Sequence, residues 1–225
     1  MNSQTSSNPQ FVASDAGIPI PLHAFRPEQQ MQHTMPDVNG KTGVFVGPAG
    51  RRHTAYMGGE VTLLLDSAQT GGRFGAGVAS FAPDGGPPAH VHRTFDEVFY
   101  VLDGEFLFRA GEEDYIAYPG DMVFIPREMA HQFRNIGGVE GRLLTYWTPA
   151  GFEEWFFRIG ALEAAGQLNW ETMMQTARDL DTQALPELLQ LADLTETAIK
   201  ELRQKRAGEI SLRASNGEAK IVGIR

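Results

Sequence analysis

The sequence predicts a mainly β fold, a sandwich or a barrel, with a helical extension behind it. Three observations predict it. From about Gly43 to Pro149 the chain is written in short apolar runs punctuated by glycine and proline. No helical period occurs in that stretch. Directly after Pro149 the spacing changes to that of an amphipathic helix.

Taken in order, residues 1 to about 16 are rich in Ser, Asn and Gln, a composition that favours disorder. "GIPIPLHAF", residues 17 to 25, is too proline-rich for a helix and reads as an extended arm. The strand runs are 60–66, 74–81, 97–103, 105–111, 114–120, 121–126, 130–135 and 141–147. Many short strands at regular spacing are the signature of a sandwich or barrel. Asp103-Gly104, between two apolar runs, predicts a type I′ hairpin, in which both central residues take positive φ.

In "GFEEWFFRIG", Phe152, Trp155, Phe156 and Ile159 fall at i, i+3, i+4 and i+7, one face of a helix. A second helix is expected after Asn169, where "NWET" can cap it, and another after Leu185, with Pro186 in its first turn. A last one is expected across 193–206, with Thr195 as its cap and basic residues in its final turn. Asn216-Gly217 suggests a hairpin in the tail. The expected organisation is a partly disordered arm at 1–40, the β unit at 41–150, the helical extension at 151–208 and the tail at 209–225.

A formal charge of −9 argues against a nucleic-acid partner and against attachment to anionic lipid. The absence of cysteine excludes a disulfide framework, a thiolate zinc site and an iron–sulfur cluster. "MNSQTSSNPQ" has neither a basic start nor an apolar core, and no apolar run approaches the roughly 18 residues of a membrane span. The expectation is a cytoplasmic protein without signal peptide or membrane segment.

The chemistry concentrates in "GGPPAHVHRTFDEVFYVLDG", residues 85 to 104. Side chains two apart on a strand share a face, so His90 and His92 point the same way. Pro87 and Pro88 keep the approach extended. Glu97 follows after room for a bend, and the set asks for one more ligand. His131, beyond the strand exit at Pro126, is the candidate, although a lone histidine also serves as an ordinary satisfied polar residue. Three of the six histidines sit in these two stretches, whereas His23, His33 and His53 have no partner at ligand spacing. Three imidazoles and a carboxylate suit one divalent transition ion per subunit, Fe, Mn, Ni, Co or Zn, and leave positions open to a substrate or O2.

These residues resemble the two motifs of the cupins. The first, G-x5-H-x-H-x(3,4)-E-x6-G, matches His90, His92, Glu97 and Gly104. The second, G-x5-P-x-G-x2-H-x3-N, matches Gly120, Pro126, His131 and Asn135. Two turn positions depart from the pattern: Asp84 stands where the first glycine falls, with Gly85 one place late, and Glu128 replaces the second glycine of the second motif. Glu128 implies either a turn without a positive-φ requirement or local strain.

The resemblance implies a cupin β-barrel of double-stranded, jelly-roll type, with His90, His92, Glu97 and His131 as metal ligands. From about 55 to 160 the text is similar to single-domain cupins of the quercetin 2,3-dioxygenase-like type. That likeness implies an oxidoreductase in which a flavonol or other aromatic enol is cleaved with O2, Glu97 accepting the hydroxyl proton and the ring opening with loss of carbon monoxide. By strand alternation Phe99, Val101 and Phe133 are the expected pocket side chains, or else ordinary barrel core. Phe152, Trp155 and Phe156 either roof the mouth, seal the barrel or form an interface of a homodimer. The alternatives are a non-oxygenase metal-dependent cupin, an isomerase or cyclase, and a non-catalytic metal- or ligand-binding module.

Overall fold

Alternation along the strand runs becomes two antiparallel sheets in the computed structural model, which describes residues 11–13, 19–21, 32–34, 43–180, 182–185 and 194–216. The chain divides into two units, 1–51 and 52–225. In the first, β1 (Phe11–Ala13) pairs with β2 (Pro19–Pro21), and β3 (Gln32–Thr34) with β4 (Val44–Val46), followed by a 3₁₀ turn at Pro48–Gly50. Phe11–Ala13 therefore forms a strand within the stretch expected to be disordered, and the proline-rich 19–21 segment is extended as expected. The rest of 1–42 lies outside the described residues. Val44–Val46 pairs back onto Gln32–Thr34, within the first unit.

The second unit opens with the hairpin of β5 (Arg52–Tyr56) and β6 (Gly59–Leu65). Its turn residues Met57 and Gly58 take φ of 48° and 78°, and the carboxylate of Glu163 accepts from both backbone N–H groups. A single helical turn, α1 (Ser67–Thr70), is closed by an Asp66–Gln69 capping box. Then come β7 (Gly75–Phe81), β8 (His90–His92), β9 (Asp96–Asp103), β10 (Phe106–Ala110), β11 (Glu113–Ala117), β12 (Met122–Ile125), β13 (His131–Asn135) and β14 (Gly141–Thr148). The helices α2 (Glu153–Ala164) and α3 (Trp170–Asp179) follow, then β15 (Thr182–Ala184) and α4 (Glu196–Asn216).

One sheet has the order β12-β9-β14-β7-β6-β5 and the other β11-β10-β13-β8-β15. Together they are a cupin-like jelly roll. Their inner faces pack Val61, Phe81, Phe99, Val101, Phe106, Phe108, Phe133, Leu143 and Trp147 into one core, as a period of two requires. α4 covers the outside of the five-stranded sheet through Ile199 on Leu107 and Ile116, with Arg203 clamped on Glu105 and Arg206 on Asp121. Among the described residues no helix is long and apolar enough to cross a membrane.

Three expectations are corrected. Asp103-Gly104 does not make a hairpin: β9 and β10 lie in different sheets, and only Gly104 takes positive φ, 89°. Arg142 of the neighbouring β14 holds the Asp103 carboxylate, and a Cβ on Gly104 would meet Gly141 Cα at 2.7 Å, so this dipeptide serves a tight sheet-to-sheet crossover. Asn216-Gly217 does not join two strands, because helical hydrogen bonding runs through "SLRASN" to Asn216; residues 217–225 lie outside the described residues. The extension at 151–208 is not wholly helical, since Thr182–Ala184 is a strand. The helix expected at Pro186 falls outside the described residues, whereas Asn169 forms the expected cap, as a capping box with Thr172.

Candidate metal centre

β8 is three residues long, and its two outer members are the candidate ligands. The chain reaches it through Asp84-Gly85-Gly86, tied to β13 by Asp84 N–H to Asn135 O (2.8 Å) and Asn135 N–H to Gly85 O (2.9 Å). A Cβ on Gly86 would stand 2.2 Å from Phe133 O, which explains a glycine there. Asn135, fully buried, donates to Phe81 O and Val139 O, both at 2.8 Å, and accepts from Gly137 N–H; the asparagine of the second motif fastens a loop. Asp84 and Glu128, the residues standing where the motifs carry glycine, both take left-handed backbone, φ 64° and 68°. The turns are therefore those of the motif pattern, and Glu128 holds the strained alternative.

Glu97 enters from the opposite sheet on β9, and His131 pairs in register with His90 across β13 and β8. The ligand atoms of His90, His92, Glu97 and His131 all lie within 4.8 Å of one another. Glu97 Oε2 is 3.1 Å from both His92 Nε2 and His131 Nε2. Each imidazole is steered from its other nitrogen. His90 Nδ1 lies 2.8 Å from Pro88 O and His131 Nδ1 lies 3.0 Å from Met129 O, each a carbonyl two residues upstream. His92 Nδ1 lies 3.1 Å from Thr182 Oγ1, ninety residues away. His92, Glu97 and His131 are 2 to 3% exposed.

The donor set fits a divalent ion. Two donors about 2.1 Å from one ion at right angles stand roughly 3 Å apart, the observed Glu97–histidine spacing. Orientation of imidazole ligands through Nδ1 is usual at such sites. Burial, then repulsion from His131 and His92, holds the His90 imidazole well below its ordinary value, which keeps it in the neutral form a ligand requires. Burial alone would raise the Glu97 carboxyl, but the charge and hydrogen bonds of His92 and His131 outweigh it and hold the group below the usual carboxylate range.

Beside the cluster lies a cavity lined by His90, His92 and Glu97 and walled largely by aromatic side chains. Phe81, Phe99 and Phe133 come from the barrel, Phe152, Trp155 and Phe156 from the start of the extension, and Met173 and Ala177 from α3. Phe99 and Phe133 lie along the cavity and also belong to the barrel core, while Val101 is fully buried away from the lining. The roof reaches the cluster itself: Phe152 lies 4.8 Å from His92 between ring centroids, and Phe95, outside the cavity lining, packs on the same ring at 4.0 Å. The polar lining beyond the ligands is Tyr56, Thr145 and Thr182. Tyr56 Oη accepts from Trp155 Nε1 at 3.1 Å, and burial pushes its phenol far above the ordinary range, so it stays protonated. The cavity measures about 40 Å³, counted as the space open to the centre of a water molecule.

Sequence reasoning missed Phe95, Tyr56 and Thr182. Phe95 sits three residues past His92 and could have been suspected from its place between two ligands. Tyr56 and Thr182 lie far from both motifs, and nothing local marks them. His53 is exposed on β5 and stands apart from the cluster.

Residues 77–147 match the family model described as "Cupin domain". "Protein SchB" of Streptomyces halstedii is 33% identical over 103 residues, 45% of this chain and 72% of SchB. "Polyketide synthase CurC" of Streptomyces cyaneus is 29% identical over 93 residues, 41% of this chain and 60% of CurC. Among solved structures, an RmlC-like cupin from Shewanella frigidimarina superposes with a TM-score of 0.42 at 20% identity, covering 49% of this chain and 94% of that one.

Proposed function

Since the chain belongs to the cupin superfamily, we propose that it is a metal-dependent oxygenase of the quercetinase-like kind, opening a flavonol or other aromatic enol with O2. One observation carries the reading: three imidazoles and a carboxylate cluster together, and His90, His92 and Glu97 of that cluster line a cavity whose walls are largely aromatic.

A divalent ion held by His90, His92, Glu97 and His131 would supply Lewis-acid polarisation of a substrate oxygen. The chain's own groups do the rest. Glu97 is kept ionised by its histidine neighbours and so is in the form that accepts a hydroxyl proton. Phe99, Phe133 and Phe152 orient a flat ring by edge and face contact. Phe152, Trp155 and Phe156 exclude water from the reacting oxygen. Sites for drug-sized ligands run roughly 300–1,000 Å³, so a flavonol enters a space of about 40 Å³ only if these roof side chains move.

The likeness to a chain named as a polyketide synthase favours a second reading, a cupin isomerase or cyclase acting on an aromatic intermediate without O2. The exposed apolar pair Met122 and Phe124 on edge strand β12, 66% and 51% accessible, supports a homodimer. The deciding experiment is metal analysis of the purified protein, then anaerobic titration with flavonols, then O2. A charge-transfer band that decays with O2 uptake supports the oxygenase. A ligand-induced band indifferent to O2 supports the second reading, and the absence of any band with every enol or catechol tried sinks the first.

A further inference from the structure

The Nδ1 atoms of His90 and His131 face carbonyls of their own approach segments, so those two ligands are oriented by the barrel alone. His92 is different. Its Nδ1 meets the hydroxyl of Thr182, on a strand that lies beyond the cupin match at 77–147. That strand, β15, is the outer member of the five-stranded sheet, and its register on β8 sets Thr182 opposite His92 and Ala184 opposite His90. The pairing is anchored at both ends. Leu185 N–H donates to Ala89 O at 2.8 Å, and Arg93 donates to the Gln183 side chain at 2.7 Å.

From this geometry we propose that Thr182 is a positioning residue of the metal centre, so that the C-terminal extension completes a site the cupin barrel leaves unfinished. The proposal rests on the reading of the four residues as metal ligands. With Nε2 turned toward the ion, a neutral His92 carries its proton on Nδ1 and donates it to Thr182 Oγ1. The Thr182 hydroxyl in turn faces Leu180 O at 3.5 Å, which completes a chain from ring to hydroxyl to backbone. Thr182 is buried, so an imidazole N–H deprived of this acceptor is hard to satisfy from solvent. The relation is reciprocal: if β15 strengthens metal binding, bound metal must strengthen the docking of β15 by the same factor.

Cobalt(II) is the probe, with the full-length protein. Thr182→Val keeps the shape and the strand preference but removes the acceptor; Thr182→Ser keeps the hydroxyl. The expected result is a 10- to 100-fold loss of cobalt affinity in Thr182→Val, with a shifted visible d–d spectrum, and near-native affinity and spectrum in Thr182→Ser. In the unaltered protein, cobalt is expected to slow hydrogen exchange at the amides of Thr182 to Leu185 at least tenfold, a readout that needs no variant to fold. Equal affinity and spectrum in Thr182→Val, or exchange at 182–185 indifferent to cobalt, overturns the proposal while leaving the metal reading intact. A native protein that takes up no cobalt overturns both.

Discussion

Glu128 donates its backbone N–H to the carbonyl oxygen of His92 across 2.6 Å while holding a φ of 68°. The second motif thus grips the first through the main chain, at a position where a side chain is disfavoured. Glu128→Gly relieves left-handed strain worth about 1–2 kcal/mol but adds backbone entropy of roughly 0.5–1 kcal/mol to the unfolded state. The expected net is a gain of about 0.5–1 kcal/mol in urea denaturation, with metal content unchanged. A loss of stability would mean that the Glu128 side chain contributes more than its backbone costs.

The ligand assignment predicts a sharp contrast among histidines. His90→Ala and His131→Ala should each lose stoichiometric metal by elemental analysis, while His53→Ala, exposed on β5, should retain it. Full metal in His131→Ala would overturn the site.

α2 is seated on β5 through Gly160. A Cβ there would stand 1.9 Å from Thr54 Oγ1 and 2.5 Å from Ala55 O, the latter immovable backbone. Gly160→Ala is expected to cost about 1–3 kcal/mol by overpacking, read by chemical denaturation. By lifting the helix that carries Trp155 and Phe156, it should also speed ligand entry. Unchanged stability would show that α2 can slide without loss.

Phe152 covers His92 and packs on Phe95, with ring centroids 4.8 and 4.5 Å away. Phe152→Leu should open the roof at a cost of about 1–2 kcal/mol and raise the anaerobic association rate of a flavonol in stopped flow. A rate that does not change would place the entrance elsewhere.

The metal-free protein should lose stability as pH falls below the ordinary histidine range near 6.5. The sign follows from His90: its folded value is lowered, so the unfolded chain binds the proton first and protonation favours unfolding. His90→Gln should flatten that part of the curve in thermal melts taken between pH 7 and pH 5. An undiminished slope would assign it to other groups.

Much of this was legible in the sequence where period and spacing are local. The eight strand runs, the inward set Glu97, Phe99 and Val101, the Asn169 cap and the clustering of the four candidate ligands all follow from side-chain alternation or from motif spacing. Misreadings occurred where a local signal had two uses. Asp103-Gly104 has hairpin chemistry, but the two flanking strands join different sheets, a choice made by pairing with β12, β14, β11 and β13. Glu128 takes a glycine conformation because long-range hydrogen bonds hold it there. Thr182 and Tyr56 could not be read at all, since their partners His92 and Trp155 are ninety or more residues distant.

The outer position of β15 bears on how this barrel can be handled apart from its surroundings. A gene fragment stopped at the end of β14, where the family match ends, would strip the hydrogen-bonding edge of β8 along its whole length. That edge is short, apolar at its middle residue and loaded with two imidazoles. Unsheathed edges recruit the nearest extended chain, so such a fragment invites self-association through the strand that the intact protein keeps for its histidines. The safe cut lies no earlier than Leu185, whose N–H closes the last bond of that seam on Ala89.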